Sequence, residues 1–150
     1  MKKLTVNQEK LLSGLASVLG VSRDHLYGLI NFESAGWNPL ARNKISGARG
    51  LLQFTNTTAR NMGYASADDL VAKHPTIDSQ LEGPVYNYLK EFLPFTGKQS
   101  LYMAVFYPKY RTVSPDTAFS STVKSQNPGI FTVQDYIDFV DGKKKLHKVV

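Results

Sequence analysis

The sequence contains no cysteine and no long apolar run. The lack of cysteine excludes disulfides and thiolate metal ligands, but it leaves the redox compartment open. No stretch of about 18 apolar residues is present that could cross a bilayer. The start Met1-Lys2-Lys3 is followed by polar residues and not by the apolar region of a signal peptide. We therefore expect a soluble protein without stable membrane insertion, whose export needs another route.

Histidine is also scarce, and its positions do not suggest a metal site. His25, His74 and His147 stand far apart in the chain, without the spacing of metal ligands. We therefore expect a protein that uses neither a metal nor a cofactor.

Acidic residues are absent from a central stretch of the chain. Residues 34–67 contain no Asp or Glu, whereas Arg42, Lys44, Arg49 and Arg60 lie in this stretch. The whole chain carries a formal net charge of +6. Such a balance favours a polyanion: nucleic acid, an anionic surface or an acidic cell-wall polymer. The lysines at 143–145 and 148 equally fit a solvated tail that aids solubility.

The residues that are present predict one mainly α-helical domain. A length of 150 residues and a hydrophobic content of 42% fit a single globular unit, 1–150, with a basic tail from about 142 to 150. Strand-like alternation is scarce, and apolar residues recur at helical spacing. We predict helices from a cap at Thr5 or Asn7 to Gly20, from Ser22 to about Glu33, through Met62, after Ser66, over 76–92 with a kink at Gly83-Pro84, over 98–107, and after Thr132. Residues 34–49 and 109–131 read as irregular.

Glu33 has the setting of a general acid. Leu26, Leu29 and Ile30 form an apolar stripe, and Glu33 continues it at i+7 from Leu26. Gly36 follows, so Glu33 falls in the last helical turn, where the macrodipole disfavours a negative charge. Partial burial acts in the same direction and favours a carboxyl group that holds its proton near neutral pH. A surface glutamate at a frayed helix end is the alternative interpretation.

The segment Gly47-Ala48-Arg49-Gly50-Leu51-Leu52-Gln53 is a second candidate element of a site. Its glycines permit conformations that other residues avoid, and its leucines can anchor the segment to a core. Gln53 then offers a donor and an acceptor, which suits amide or hydroxyl groups of a sugar. Alone, the segment is equally typical of a turn before a helix.

Three motifs together resemble the soluble lytic transglycosylase, or goose-lysozyme-like, superfamily. They are Phe32-Glu33-Ser34-Ala35-Gly36-Trp37-Asn38-Pro39, the segment 47–53, and Ala104-Val105-Phe106-Tyr107. Their order and spacing agree with the family patterns E-S-x-x-N-P, G-x-x-G-L-M-Q and A-x-x-Y-N. The resemblance covers about residues 30–110. It implies a lysozyme-like helical domain with a substrate groove, most similar to a bacteriophage or prophage member.

The resemblance also implies roles for individual residues. Glu33 aligns with the catalytic acid/base, Ser34 follows it as in the motif, and Gln53 matches a substrate-binding glutamine. Tyr107 matches the tyrosine whose hydroxyl lies near the catalytic carboxylate. Leu52 and Pro108 depart from the usual Met and Asn, and Ser46 does not clearly match the loop serine of the family. We further expect aromatic residues to stack on sugars or to pack in the core; the candidates are Trp37, Phe54, Tyr86 and Tyr107.

The implied activity is cleavage of peptidoglycan strands between N-acetylmuramic acid and N-acetylglucosamine, with a 1,6-anhydromuramyl product. Because no acid follows Glu33 closely, one carboxyl group would act first as acid and then as base. A muramidase that uses Asp78 or Glu82 as a second carboxylate is the close alternative, and a chitinase-like activity is a weaker one. Product analysis separates the lyase from the hydrolase.

Alternatives from other classes are an inactive virion structural protein and a basic nucleic-acid-binding module. The dispersed basic residues argue against nucleic acid as a partner. We expect a monomer, either free in the host cytoplasm until release as an endolysin or carried in a virion assembly, that acts on the bacterial cell wall.

Overall fold

The computed structural model describes residues 2–145 and is mainly helical, which confirms the predicted fold class at that level. Over these residues, extended pairing is limited to the isolated bridges Arg42–Arg49, Arg49–Phe54 and Ala118–Thr132. None of the helices in this part of the chain has the length and apolarity needed to span a bilayer. The helices are α1 Val6–Leu19, α2 Arg23–Glu33, α3 Asn56–Asn61, α4 Ala67–Lys73, α5 Ile77–Gln80, α6 Tyr86–Leu89, α7 Lys98–Phe106, α8 Ser121–Gln126 and α9 Val133–Val140.

Local sequence signals define most helix ends. Thr5 caps α1 by accepting from the backbone N–H of Gln8, and the Gln8 side chain accepts in return from the Thr5 N–H, a capping box. Gly20 ends α1 in the left-handed conformation, with φ of 68°. At the start of α2, the Ser22 side chain is the cap and accepts from the backbone N–H of His25. These boundaries confirm the predicted starts and stops.

The predicted long helix is a succession of helical turns from 77 to 92. A π-helical segment, Leu81–Val85, separates α5 from α6, and a 3₁₀ turn, Lys90–Phe92, follows α6. Pro84 lies inside the π-helical segment. Because proline has no N–H and its ring crowds the preceding turn, the widened segment accommodates it without ending the helix.

The prediction of an irregular segment over 109–131 was incomplete. This stretch contains α8 and follows a 3₁₀ turn, Pro108–Tyr110. None of the residues of α8 is buried, so the sequence shows no apolar periodicity there. The helix is instead started by Ser120, whose hydroxyl accepts from the backbone N–H of Val123.

The described part of the basic tail folds back on α9. The backbone N–H groups of Lys143 and Lys144 donate to the carbonyl of Asp138, and the Lys144 ammonium lies 2.6 Å from a carboxylate oxygen of Asp135. One lysine of the run is therefore paired within the protein. Residues 146–150, where the prediction of a basic tail continues, lie outside the described residues.

The core surrounds α2, which contacts α1, α7 and α9. The predicted apolar stripe is confirmed, because Leu26, Leu29 and Ile30 are completely buried. Glu33 extends this stripe and is only 3% exposed. The carboxyl group therefore lies at the end of the central helix and against the core.

A buried glutamine connects the loop after α2 to the helical stretch 77–92. Gln80 is completely buried; its Oε1 accepts from the N–H of Leu51 at 2.9 Å, and its Nε2 donates to the carbonyls of Pro39 (2.7 Å) and His74 (2.9 Å). A Cβ at Gly50 would stand 2.8 Å from Oε1 of Gln80. Glycine at position 50 is therefore required both by φ of +83° and by this close approach.

We predict that Gly50→Ala destabilises the protein more than Gly47→Ala. Both glycines have positive φ, but a Cβ at Gly47 meets nothing within 4 Å. Gly47→Ala therefore reports the backbone strain alone, about 1–2 kcal/mol. Gly50→Ala adds displacement of the Gln80 amide and costs about 1–3 kcal/mol more. Urea denaturation of the two variants measures the difference in unfolding free energy. Equal losses of stability would show that the Gln80 side chain moves aside without destabilising the protein.

Candidate active site

The carboxyl group of Glu33 is joined to the last helix by one hydrogen bond. The Tyr136 hydroxyl on α9 donates to Oε2 of Glu33 at 2.5 Å, and both residues are buried. Glu33 is the last residue of α2, as predicted. The bond therefore connects the C-terminal end of α2 to α9 across 103 positions of sequence.

Aromatic rings hold Tyr136 in place. Phe106 stacks on the Tyr136 ring with centroids 4.4 Å apart, and Phe32 meets it edge-on at 5.5 Å. Burial raises the pKa of Tyr136 well above its ordinary value, and the nearby carboxylate and hydrogen bond of Glu33 raise it further. Tyr136 therefore keeps its proton and remains a donor to Glu33.

A tight turn takes the chain away immediately after Glu33. Ser34 is completely buried; its hydroxyl donates to the carbonyl of Ile30 (2.6 Å) and accepts from the N–H of Trp37 (2.9 Å). Ala35, Gly36 and Trp37 all have positive φ. Ser34 thus shapes the turn that ends α2, and its hydroxyl is not exposed to a ligand. Trp37 is 1% exposed and packs against Tyr27 in the core.

Gln53 stands at the end of a four-residue loop closed by a backbone pair. Arg49 and Phe54 exchange both backbone hydrogen bonds, at 2.9 and 2.7 Å. Gln53 has φ of +57°, and its Nε2 donates to the carbonyls of Gly50 and Ala41. Its Oε1 is buried without a hydrogen-bond partner. A buried acceptor of this kind is costly unless a ligand or water supplies a donor.

Tyr88 lies between Gln53 and a larger cleft. A small cavity of about 50 Å³ is lined by Gln53, Phe54, Thr58 and Tyr88, among others. Thr58 and Tyr88 also line a neighbouring cleft of about 650 Å³. The other residues of this cleft, hereafter the α3–α6 cleft, are Asn61, Met62, Asn87, Lys90, Glu91 and Phe92.

The ring and hydroxyl of Tyr88 are both fixed. Its hydroxyl donates to the carbonyl of Ala104 at 2.5 Å, and its ring contacts Phe54 edge-on at 6.0 Å and Phe92 at 5.1 Å. Burial raises the pKa of Tyr88 to about 12, the charge of Arg111 lowers it and that of Glu33 raises it.

Of the predicted aromatic residues, Phe54 lies beside Gln53 and Tyr88, whereas Tyr86 and Tyr107 lie elsewhere. Phe54 is 3% exposed and packs on Tyr88. Tyr107 is half-buried at the end of α7 and contacts Tyr110 and Phe119, with centroids at 4.7 and 5.8 Å. Tyr86 lines a different depression, against Leu11 and Leu15 of α1. The phenol that the structure bonds to Glu33 is that of Tyr136.

The two candidates for a second carboxylate face α1. Asp78 accepts from the side chains of Asn7 and Gln8, which hold the pKa of Asp78 below its ordinary value. Glu82 is exposed and lines the depression beside α1 together with Lys10. Among the described residues, no group of three or more His, Cys, Asp or Glu side chains is arranged to hold a metal ion.

The sequence alone did not identify Tyr136 and Tyr88 as site residues. Tyr136 belongs to the apolar face of α9, with Val133, Ile137 and Val140, and a tyrosine on such a face reads as core. Tyr88 and Tyr86 stand two positions apart on one helical stretch, so they point in different directions. The helical periodicity of Leu81, Val85 and Leu89 includes Tyr88 but not Tyr86, and it is the sequence signal that distinguishes the two tyrosines.

Comparison with protein-family models, with curated proteins and with solved structures finds no match to this chain.

We predict that Tyr136→Phe costs about 1–3 kcal/mol of stability, because it removes a donor from a buried carboxyl oxygen. Tyr27→Phe is the matched control, since the Tyr27 hydroxyl donates to the carbonyl of Lys2, an exposed residue at which water can replace the donor. We expect a smaller loss there, about 0.5–1.5 kcal/mol. Urea denaturation measures both losses. A Tyr136→Phe loss no larger than that of the control would contradict the importance of the buried bond.

A second prediction concerns alkaline pH. Tyr88 has a pKa of about 12 in the folded protein, against an ordinary value of 10.0. Below pH 10 Tyr88 holds its proton in both the folded and the unfolded protein, so its titration does not lower the free energy of unfolding. Above pH 10 the unfolded chain releases this proton while the folded protein retains it, so the free energy of unfolding falls. This decrease in the free energy of unfolding amounts to about 1.4 kcal/mol per pH unit. Tyr88→Phe should therefore make the decline in unfolding free energy above pH 10 less steep. Equal slopes for the wild type and the variant would refute the shift.

Proposed function

We propose that the protein is a peptidoglycan lytic transglycosylase in which Glu33 is the acid and the base. The observation that carries this proposal is the setting of Glu33: a carboxyl group 3% exposed, at the end of an apolar helix face, with a tyrosine hydroxyl on Oε2. The Tyr136 hydroxyl orients this carboxyl group, whose proposed role is to give a proton and later to take one.

The reaction needs no second carboxylate. Glu33 donates its proton to the glycosidic oxygen, and the bond from this oxygen to C1 of the muramyl sugar breaks. The carbonyl oxygen of the muramyl acetamido group then bonds to C1 and relieves the developing cation. Glu33, now a carboxylate, takes the proton of the C6 hydroxyl. The C6 oxygen displaces the acetamido oxygen from C1, which gives the 1,6-anhydro product and regenerates protonated Glu33.

The surroundings of Gln53 and Tyr88 support a glycan as substrate. The unpartnered Oε1 of Gln53 suits an N–H or O–H donor from a sugar. The α3–α6 cleft combines amide side chains at Asn61 and Asn87 with the ring of Phe92. Polar hydrogen-bonding groups beside an aromatic surface are the combination that carbohydrate sites use. In the proposal, the strand occupies this cleft as its substrate groove.

The positions of Asp78 and Glu82 favour the lyase over a muramidase. A hydrolase with two carboxyl groups places them about 5–9.5 Å apart across the scissile bond. Asp78 is held by Asn7 and Gln8 at the start of α1, and Glu82 lies beside Lys10 of α1. Glu33 is instead bonded to α9. Neither acid therefore has the setting of a partner for Glu33.

We predict that Glu33→Gln abolishes lysis of purified sacculi while the fold stays intact. The amide keeps the shape of the side chain but has no transferable proton. General acid/base catalysis is typically worth about 10²–10⁴-fold, so the rate should fall by at least the lower figure. Turbidity measures lysis, circular dichroism checks the fold, and mass spectrometry of the wild-type digest should show 1,6-anhydromuramyl ends.

Glu82→Gln and Asp78→Asn serve as matched controls, because each removes one of the carboxylates that a hydrolase would need. Both variants should retain lysis. Loss of activity in either, together with reducing muramyl ends in the digest, would favour a muramidase. Full activity of Glu33→Gln would refute the role of Glu33, and no lysis by the wild type would favour a structural protein.

A further inference from the structure

Arg111 is anchored at the rim of the α3–α6 cleft. Its guanidinium carbon lies 4.9 Å from the centroid of the Phe92 ring, and its Nε donates to the carbonyl of Pro108 at 3.1 Å. Phe92 itself lines the cleft. A stacked and hydrogen-bonded guanidinium has already lost much of its rotamer freedom, so binding a ligand costs it little further ordering.

The terminal nitrogens of Arg111 remain available for a ligand. Its side-chain hydrogen bonding within residues 2–145 is made by Nε, and the ion pairs of this region use other cations, namely Arg23, Arg49, Lys73, Lys98 and Lys144. The half-buried Arg111 forms no ion pair with a carboxylate of residues 2–145. The charge of Arg111 acts to lower the pKa of Tyr88, which lines the same cleft.

The residues that line the cleft carry no net formal charge of their own, so the charge of Arg111 beside it matters. Among the residues that line the cleft, Lys90 and Glu91 carry opposite formal charges that offset each other. Thr58, Asn61 and Asn87 are neutral. Arg111, stacked on Phe92, adds a positive charge beside this lining, whose own formal charges sum to zero. The planar fork of a guanidinium matches a carboxylate with two parallel hydrogen bonds, which a neutral hydroxyl or amide cannot reproduce.

We propose that Arg111 binds a carboxylate carried by the glycan in the α3–α6 cleft. This inference rests on the proposed function and specifies its substrate: a strand of acidic sugars, such as muramyl residues whose lactyl groups carry no peptide and so keep a free carboxylate, and not a neutral chitin-type strand. Arg111 thus determines specificity without taking part in the proton transfers of Glu33.

The test compares two tetrasaccharides of equal length by calorimetry in the Glu33→Gln background, in which no turnover is expected. One is a peptide-free muramyl glycan with free lactyl carboxylates, and the other is neutral chitotetraose. Arg111→Gln should weaken binding of the muramyl glycan about tenfold, the worth of one good charge-assisted contact. Binding of chitotetraose should be unchanged, which also shows that the variant is folded.

Lys109→Gln is the matched control, because it removes one positive charge from the same turn at an exposed position without a described contact to the cleft. It should leave both affinities unchanged. Equal weakening of both glycans by Arg111→Gln, or no weakening of either, would overturn the assignment while the proposed function stands. Failure of the Glu33→Gln protein to bind either glycan would remove the proposed function and this inference with it.

Discussion

The hydrogen bond from Tyr136 to Glu33 is the interaction on which the site depends. It joins the end of α2 to α9 inside the core, where an unsatisfied carboxyl oxygen would be costly. The same bond orients the carboxyl group and satisfies its Oε2. Phe106, which stacks on Tyr136, extends this constraint to α7. Three helices therefore determine the position of one side chain.

A second constraint acts on the loop that carries Gln53. The Gln80 amide bonds to Pro39, Leu51 and His74 and so attaches an irregular segment to a helix. Irregular backbone near a core has polar groups that its own secondary structure does not satisfy. Gln80 satisfies two of them, at Pro39 and Leu51, and also the carbonyl of His74 at the end of α4. This arrangement explains how a loop with few regular contacts can hold Gln53 in a left-handed conformation.

These two constraints act on the carboxyl group of Glu33 and on the loop that carries Gln53. Tyr88 lines both the small cavity beside Gln53 and the α3–α6 cleft. The basic residues differ in their surroundings: Arg111 stacks on Phe92 of the cleft, whereas Lys144 is paired on α9. Net charge alone does not distinguish such positions, because most surface cations are solvated or paired.

The sequence by itself determined the helical class, most helix ends and the apolar stripe that Glu33 continues, but it left open whether Glu33 is buried or exposed. These features depend on neighbours within a few residues: a cap at Ser22, a glycine at position 20, and an apolar stripe at i, i+3 and i+7. Only the tertiary structure decided which tyrosine bonds to Glu33, and that Tyr88 and not Tyr86 lines the cleft. Those outcomes depend on how helices distant in sequence pack together. A single apolar periodicity specifies which face of a helix is inward, but not which side chain it will meet there.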